Sequence, residues 1–184
     1  MQLVAYGAQD VYLTGNPLIT FFKVIYRRHT NFAAESIEQT FTGDSTFESM
    51  ERTVTATISR NGDLITNTWL QVKMPKAYWC DSVGHAMIKS VELEIGGQKI
   101  DKWYGETLEY WQELTATKQK QEGYELMTGK TTSGIPGEYG GYLHVPLQFF
   151  FNRHVGLALP LIALQYHEVK VKIVFRAYKD LLYH

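Results

Sequence analysis

The stretch that decides the fold is Arg52–Met74, "RTVTATISRNGDLITNTWLQVKM". Apolar and hydroxyl side chains alternate from Thr53 to Ser59, which is the period-two pattern of a half-buried strand. Asn61-Gly62 then predicts a tight hairpin turn, because both residues tolerate the positive φ that such a turn requires. The apolar side chains of the predicted return strand share one face: Leu64, Leu70, Val72 and Met74. The stretch therefore predicts antiparallel β-structure.

The same alternation returns in three later stretches, "MIKSVELEI" (87–95), "YLHVPLQFFF" (142–151) and "EVKVKIVFRAY" (168–178). Gly96-Gly97 predicts a turn that leads the first of them back through "QKI". Their predicted inward residues are Met87, Val91, Leu93, Ile95, Leu143, Val145, Leu147, Phe149, Phe151, Val169, Val171, Ile173 and Phe175. The candidates for the deepest burial are Trp69, Leu93, Phe149, Val171 and Ile173.

Three segments break the alternation. From Trp103 to about Lys120 the period becomes helical, with one apolar stripe formed by Tyr104, Leu108, Trp111 and Leu114. The glycine-rich stretch 128–141 predicts a long loop, which could be a lid over a ligand or a protruding contact element. Near the N-terminus, Asn16-Pro17 predicts the start of a short helix through about Tyr26, followed by a strand over "ESIEQTF" (35–41).

These segments amount to seven or eight strands, interrupted by one helix and one long loop. Such a pattern is typical of an antiparallel β-sandwich or jelly roll. The chain has 184 residues, which fits a single domain of this class. No internal repeat or domain boundary is apparent within the predicted sandwich.

The composition of the chain limits the classes of function that it can have. The net charge is −1 and aromatic residues make up 14% of the chain. A nearly neutral chain has no overall field that would attract nucleic acid or anionic lipid, and aromatic residues favour strands and interfaces. The single cysteine, Cys80, excludes an internal disulfide and indicates assembly in a reducing compartment. The longest apolar run, residues 155–164, is too short to span a membrane, so we expect a soluble protein.

The candidate catalytic motifs in the sequence are incomplete. The six histidines are scattered, and "HEVKV" (167–171) lacks the second histidine of a zinc-protease motif. Glu92 and Glu94 share a strand face and resemble a catalytic carboxylate pair, but a solvated face is the better interpretation. We therefore predict no enzyme activity, no metal and no cofactor.

The segment "TFFKVIYRRHTNFA" (20–33) sets basic residues among aromatic ones. It could stack on nucleic acid, touch a membrane, or lie at the rim of a core or at a subunit contact. Since the chain as a whole is neutral and arginine is favoured at protein interfaces, we favour the last of these. The candidate contact residues are Phe21, Phe22, Arg27, Arg28 and His29.

Four blocks of sequence resemble one protein family. They are Leu3–Ala33, "NTWLQVKMPK" (67–76), Ser90–Thr115 and Leu143–Ile173. The chain is similar over nearly its whole length to the N-terminal jelly-roll half of the major capsid proteins of nucleocytoplasmic large DNA viruses. These are the iridovirus, phycodnavirus, marseillevirus and mimivirus types.

The resemblance implies a fold and a set of partners. Family members fold as two consecutive eight-stranded jelly rolls, and three chains form a pseudo-hexagonal capsomer. The implied partners are the chain itself as a homotrimer, neighbouring capsomers and minor capsid proteins, with an internal viral membrane close by and no specific nucleic acid. The implied location is the capsid of the virion, assembled in the host cytoplasm. Residues 1–34 would be an N-terminal segment with a short helix, and residues 35–184 the first jelly roll.

The sequence departs from this family by stopping after the first predicted jelly roll. We expect it to be the first half of a longer chain. A stand-alone single jelly-roll capsid component, penton-like or minor, is the alternative. A lectin-like glycan-binding jelly roll is a further one, with "GEYGGY" (137–142) as its candidate loop.

Overall fold

The computed structural model describes residues 7–8, 30–43, 50–130 and 138–182. The chain divides into two compact units, residues 1–36 and 37–184. The described residues of the first unit form no helix or strand. The predicted helix from Asn16 to Tyr26 lies outside the described residues. The elements below all belong to the second unit.

The second unit is mostly β-structure with a few helices, and the described strands pair antiparallel throughout. The strands are β1 Phe41–Thr42, β2 Arg52–Thr57, β3 Leu64–Ile65, β4 Trp69–Tyr78, β5 Ile88–Ile95, β6 Gln98–Tyr104, β7 Glu138–Pro146, β8 Leu159–Pro160 and β9 Val169–Phe175. The α-helices are α1 Val83–Ala86, α2 Gly105–Thr115 and α3 Lys118–Thr128. Single 3-10 turns occur at Phe150–Asn152, Val155–Leu157, Ile162–Leu164 and Tyr178–Asp180.

One sheet has five strands in the order β1-β2-β9-β5-β6. Strand β9 is central, and its Ile173 lies between Val54 of β2 and Val91 of β5. These three side chains are at most 1% exposed. Their alternation places one face of the sheet in the core, as the sequence predicts for Val169, Val171 and Ile173.

Two smaller sheets, β4–β7 and β3–β8, complete the described β-structure. In the first, Leu70 pairs with Val145, and both are buried in the same core as the five-stranded sheet. The predicted inward residues Leu143, Val145, Leu147, Phe149 and Phe151 are all buried, which confirms that alternation. Because the described strands form sheets of five, two and two, the predicted count of eight is not confirmed.

The predicted hairpin at Asn61-Gly62 is wrong. Neither residue has a positive φ, and the strand that follows the turn, β3, pairs with β8 rather than β2. Both edges of β2 are already occupied, by β1 and β9, so the chain has to leave the sheet. Gly96-Gly97 does make the predicted two-residue turn, with φ of 59° and 82°, and it joins paired strands β5 and β6.

Two residues predicted to face inward on the return strand are exposed. Trp69 is 47% exposed and Leu64 is 61% exposed. In β4 the buried positions are Leu70 and Met74, so strict alternation turns Trp69 to the opposite face. Leu64 lies in β3, outside β4, so it does not share one continuous face with Leu70 and Met74.

The single predicted helix is two helices, α2 and α3, which are separated at Ala116-Thr117. Only Leu108 of the predicted stripe is fully buried; Trp111 is half-buried, and Tyr104 and Leu114 are exposed. Tyr104 is the last residue of β6, so the strand extends into the segment that the periodicity assigned to the helix.

Two further predictions need correction. Over 35–41 the backbone is irregular and largely exposed, and pairing begins only at Phe41. The bounds predicted for the loop over 128–141 are wrong at both ends, since α3 includes Thr128 and β7 begins at Glu138; residues 131–137 lie outside the described residues. Among the described residues, no helix combines the length and apolar character needed to cross a bilayer.

Candidate functional site

The contact residues predicted from the sequence, Phe21, Phe22, Arg27, Arg28 and His29, all lie outside the described residues. The prediction about them therefore stays a prediction. The described residues show other features that can make contacts or carry charge, and these form three groups.

The first group is a set of apolar side chains that are exposed, although the sequence patterns predict no such set. They come from the outward face of β4 and β7, from the helices, and from the turns after β7. The members are Trp69, Tyr78, Tyr142, Tyr110, Leu114, Leu126, Val155, Leu157, Ile162 and Tyr166. Single exposed apolar residues are ordinary, whereas those that adjoin one another in a patch mark surfaces that contact other chains.

The second group, which we call the Arg153 platform, consists of Arg153, Trp103 and Trp111. The two indole rings meet edge to face, with centroids 5.9 Å apart and an interplanar angle of 79°. The Arg153 guanidinium carbon lies 5.1 Å from the Trp103 ring centroid and 4.8 Å from that of Trp111. Both distances fall within the range of cation–π attraction.

The two indole rings of the platform are fixed in place by the fold. Trp103 is only 8% exposed, and its Nε1 donates a hydrogen bond to Asp101 Oδ2 at 3.2 Å. Trp111 lies on α2, one turn beyond the buried Leu108. The indoles are therefore fixed by the fold, whereas Arg153 itself is exposed.

The third group is a buried polar network that joins the three helices. His85 of α1 is 2% exposed; its Nδ1 lies 2.5 Å from Glu109 Oε2, and its Nε2 lies 2.9 Å from the Tyr124 hydroxyl. Lys130 Nζ donates to Glu109 Oε1 at 2.9 Å and also to Glu113. Ser82 Oγ donates to Glu109 Oε1 at 3.2 Å.

Hydrogen bonds within this network shift the pKa values of Glu109 and Lys130 so that their charged forms are favoured. The hydrogen bond from His85, aided by Lys130 against the opposing effect of burial, lowers the pKa of Glu109 to about 2. Burial opposes the charged form of Lys130, but its hydrogen bonds to Glu113 and Glu109 outweigh that effect and raise its pKa. Burial raises the pKa of Tyr124 and keeps its phenol protonated.

The geometry of the network suits a structural role, in which it holds the three helices together, rather than a catalytic one. A nucleophile would need to contact the imidazole that activates it. Ser82 contacts Glu109 instead, and the second imidazole nitrogen is occupied by the protonated Tyr124. The network therefore ties α1, α2 and α3 together through His85, Glu109 and Tyr124.

Replacing Glu109 with glutamine is expected to lower the free energy of unfolding at pH 7 by about 1–3 kcal/mol, because His85 and Lys130 lose a charged partner. The pKa of Glu109 is lower in the folded chain than its ordinary value of 4.5. Its contribution is therefore present above pH 4.5 and disappears as the pH falls towards 2. Urea denaturation from pH 7 to pH 2 should give a shallower loss of stability for the variant than for the wild type.

The matched control is Glu122→Gln, at an exposed position of α3. It should leave both the stability at pH 7 and its pH dependence nearly unchanged. Identical pH profiles for Glu109→Gln and the wild type would show that the carboxylate does not stabilise the helices.

Of the carboxylate pair considered from the sequence, Glu92 is engaged in surface ion pairs. Glu92 lies 2.7 Å from Lys102 Nζ and 3.3 Å from Lys99 Nζ, and the hydrogen bond from Lys102 lowers the pKa of Glu92. Within the described part of the chain, no three histidine, cysteine, aspartate or glutamate side chains are grouped so that they could hold a metal ion.

Comparison with known proteins identifies the family. The family model described as the N-terminus of the major capsid protein matches residues 20–183. The chain therefore belongs to the major capsid protein family.

The curated relatives agree with this assignment. The chain is 53% identical to the major capsid protein of Pyramimonas orientalis virus over 191 residues, which cover 99% of this chain and 48% of the relative. It is 48% identical to capsid protein 1 of Acanthamoeba polyphaga mimivirus, covering 96% of this chain and 34% of the relative. It thus spans less than half the length of these two relatives.

Solved structures support the fold. The structure of VP54 from Paramecium bursaria Chlorella virus 1, which was fitted into a reconstruction of the virophage Sputnik, matches with a TM-score of 0.73 at 42% identity. That match covers 86% of this chain and 38% of the other. The Faustovirus major capsid protein matches with a TM-score of 0.56 at 12% identity, covers 96% of this chain and 47% of the other, and shows the fold alone.

Proposed function

We propose that this chain is the N-terminal jelly-roll half of a major capsid protein, whose function is to form the wall of an icosahedral virus shell. The observation that carries the proposal is the match of the family model to residues 20–183. In this proposal three copies form a pseudo-hexagonal capsomer, and capsomers tile the shell with minor capsid proteins between them and the internal membrane. Residues 1–34 form the N-terminal segment, and residues 35–184 form one eight-stranded jelly roll.

The physical properties of the chain support a structural role. The five-stranded sheet and the β4–β7 sheet contribute to one hydrophobic core, so the described strands are held together by shared packing. The net charge of −1 keeps repulsion between closely packed copies small. The exposed apolar side chains are of the kind that permanent contacts bury, and such contacts exceed about 2,000 Å².

The proposal includes the absence of enzyme activity. The most buried group of titratable side chains in the described chain fastens three helices to one another, and its hydrogen-bonding capacity is used internally. The second jelly roll of the proposed protein would come from the part of the relatives that this chain does not cover.

The test is to purify particles of the virus that encodes this sequence and to measure the intact mass and copy number of the polypeptide that contains it. We expect an abundant polypeptide with a mass at least double the 21.1 kDa of this chain. Native mass spectrometry of that polypeptide should give a trimer. A mass that matches 184 residues would replace the proposal with a single jelly-roll component. Absence from the particles would overturn the capsid function itself.

A further inference from the structure

The guanidinium of Arg153 has cationic hydrogen-bond donors that the described chain does not use. Arg60 donates to the carbonyl oxygens of Leu164 and His167, and Arg176 pairs with Glu106. Arg153, by contrast, contacts two indole faces and makes no ion pair within the described residues. Its planar donor group therefore remains open to an acceptor in solution, and the geometry of that group matches a carboxylate.

Exposed apolar side chains lie close in sequence to Arg153 and to Trp111. Val155, two residues along the chain, is 76% exposed, and Leu157 is 51% exposed. On α2, Tyr110 directly precedes Trp111 and is 66% exposed, while Leu114 lies one turn further and is 84% exposed. A carboxylate that arrives together with apolar side chains would bury these groups and would pair with Arg153 away from water, where charge-assisted hydrogen bonds are strongest.

The chain itself carries a segment with the complementary chemistry. Residues 30–38, "TNFAAESIE", are exposed at every position and form no helix or strand. Phe32 is 91% exposed and Ile37 is 40% exposed. Glu35 and Glu38 are exposed, and neither makes an ion pair in the described chain. We call residues 30–38 the acidic segment.

The spacing within the acidic segment suits the platform. Three residues of extended chain span about 10 Å. Phe32 can therefore pack on the apolar residues beside the platform while Glu35 reaches the guanidinium. Glu38, three residues further, provides a second carboxylate at the same spacing.

We propose that the Arg153 platform is a docking site for the acidic segment of a second copy of this chain, with a glutamate on the guanidinium and Phe32 against the neighbouring apolar side chains. The inference rests on the proposed function, because it names a contact through which copies would associate. It adds to that function a specific pair of surfaces, neither of which includes the contact residues predicted from the sequence.

The test is the binding of a synthetic peptide of residues 30–40 to the purified 184-residue chain, followed by the tryptophan fluorescence of the chain, to which Trp103 and Trp111 contribute two of the four indoles. We expect a saturable fluorescence change with the wild-type chain. Affinity should fall at least tenfold in Arg153→Ala, because the guanidinium supplies the charge-assisted hydrogen bonds. Arg153→Lys should bind with intermediate affinity, since it keeps the charge but loses the planar donor group.

Two controls separate recognition from folding. Lys120→Ala removes an exposed cation from α3 and should bind the peptide like the wild type. Peptides carrying Glu35→Gln with Glu38→Gln, or Phe32→Ala, should bind the unaltered chain at least tenfold more weakly, and these peptides leave its fold untouched. Equal affinity for Arg153→Ala and the wild type, equal affinity for altered and unaltered peptides, or no binding at millimolar peptide would each overturn the proposal.

The peptide-binding assay and the measurement of mass and copy number in virus particles test separate proposals. A chain that is abundant in particles but does not bind the peptide would retain the proposed function and refute this contact. A chain that binds the peptide but is absent from particles would refute the proposed function, and the platform would remain a binding site for the segment.

Discussion

Replacing Phe149 with alanine is expected to lower the free energy of unfolding by about 3–5 kcal/mol. The ring is fully buried, and it stacks on Phe151 with centroids 5.7 Å apart and an interplanar angle of 28°. The backbone around it is also fixed, because Asn152 Oδ1 accepts from the Phe149 N–H and Asn152 Nδ2 donates to Thr66 and Thr68. Since the backbone cannot collapse into the space left by the ring, most of the cavity should persist.

The measurement is the urea midpoint of the variant against the wild type. Phe32→Ala is the matched control, because Phe32 is 91% exposed and its removal leaves no cavity. The control should stay within about 0.5 kcal/mol of the wild type. Equal midpoints for the two variants would contradict the burial of Phe149.

Replacing Gly105 with alanine is expected to destabilise the chain by about 3 kcal/mol, which is large for the addition of one methyl group. Gly105 is the first residue of α2 and is buried. A Cβ at this position would collide with the carbonyl oxygens of both His85 and Ile88. These are backbone atoms, and Ile88 is paired with Phe175 of β9, so relief would require moving a sheet strand.

Gly123→Ala is the control for this substitution. Gly123 lies in α3, and a Cβ there meets no atom within 4 Å. Alanine should stabilise α3 by about 0.5–1 kcal/mol, because it favours helix more than glycine does. Urea midpoints that shift in opposite directions are expected; a Gly105→Ala midpoint at or above the wild-type value would show that α2 is not packed against this backbone.

The strands with one buried face were predictable from the sequence, since burial alone sets their period. Leu93, Phe149, Val171 and Ile173 are buried as expected. The prediction that Trp69 is buried is wrong, because the alternation of β4 buries Leu70 and so places Trp69 on the opposite face. Aromatic residues are enriched at protein interfaces, so a large aromatic residue at an outward position is a candidate for contact with another chain.

Pairing between strands was less predictable than the strands themselves. Asn61-Gly62 has the composition of a hairpin turn, but local turn propensity cannot form a hairpin when both edges of β2 are taken by β1 and β9. The helix α3 was missed because its sequence, "KQKQEGYELMT", is polar and includes a glycine. It is held by tertiary contacts such as the one between Tyr124 and His85, which no local pattern reveals.

The Arg153 platform and the buried network are likewise not revealed by any local sequence pattern. Trp103, Trp111 and Arg153 come from β6, α2 and the turn after β7, and nothing in their spacing along the chain brings them together. The network likewise unites His85, Glu109 and Lys130 across more than forty residues of sequence. Sites assembled from distant segments become visible only when the topology is known.

The central position of β9 has a consequence for the synthesis of the protein. Arg52 of β2 pairs with Phe175, so the middle of the five-stranded sheet has to wait until almost all of this sequence has left the ribosome. Until then β2 and β5 each present an unpaired edge, which is the kind of surface that draws nascent chains into aggregates. The nascent chain must therefore keep these two edges apart from other chains until β9 inserts between them, and the five-stranded sheet is completed only after Phe175 has been synthesised.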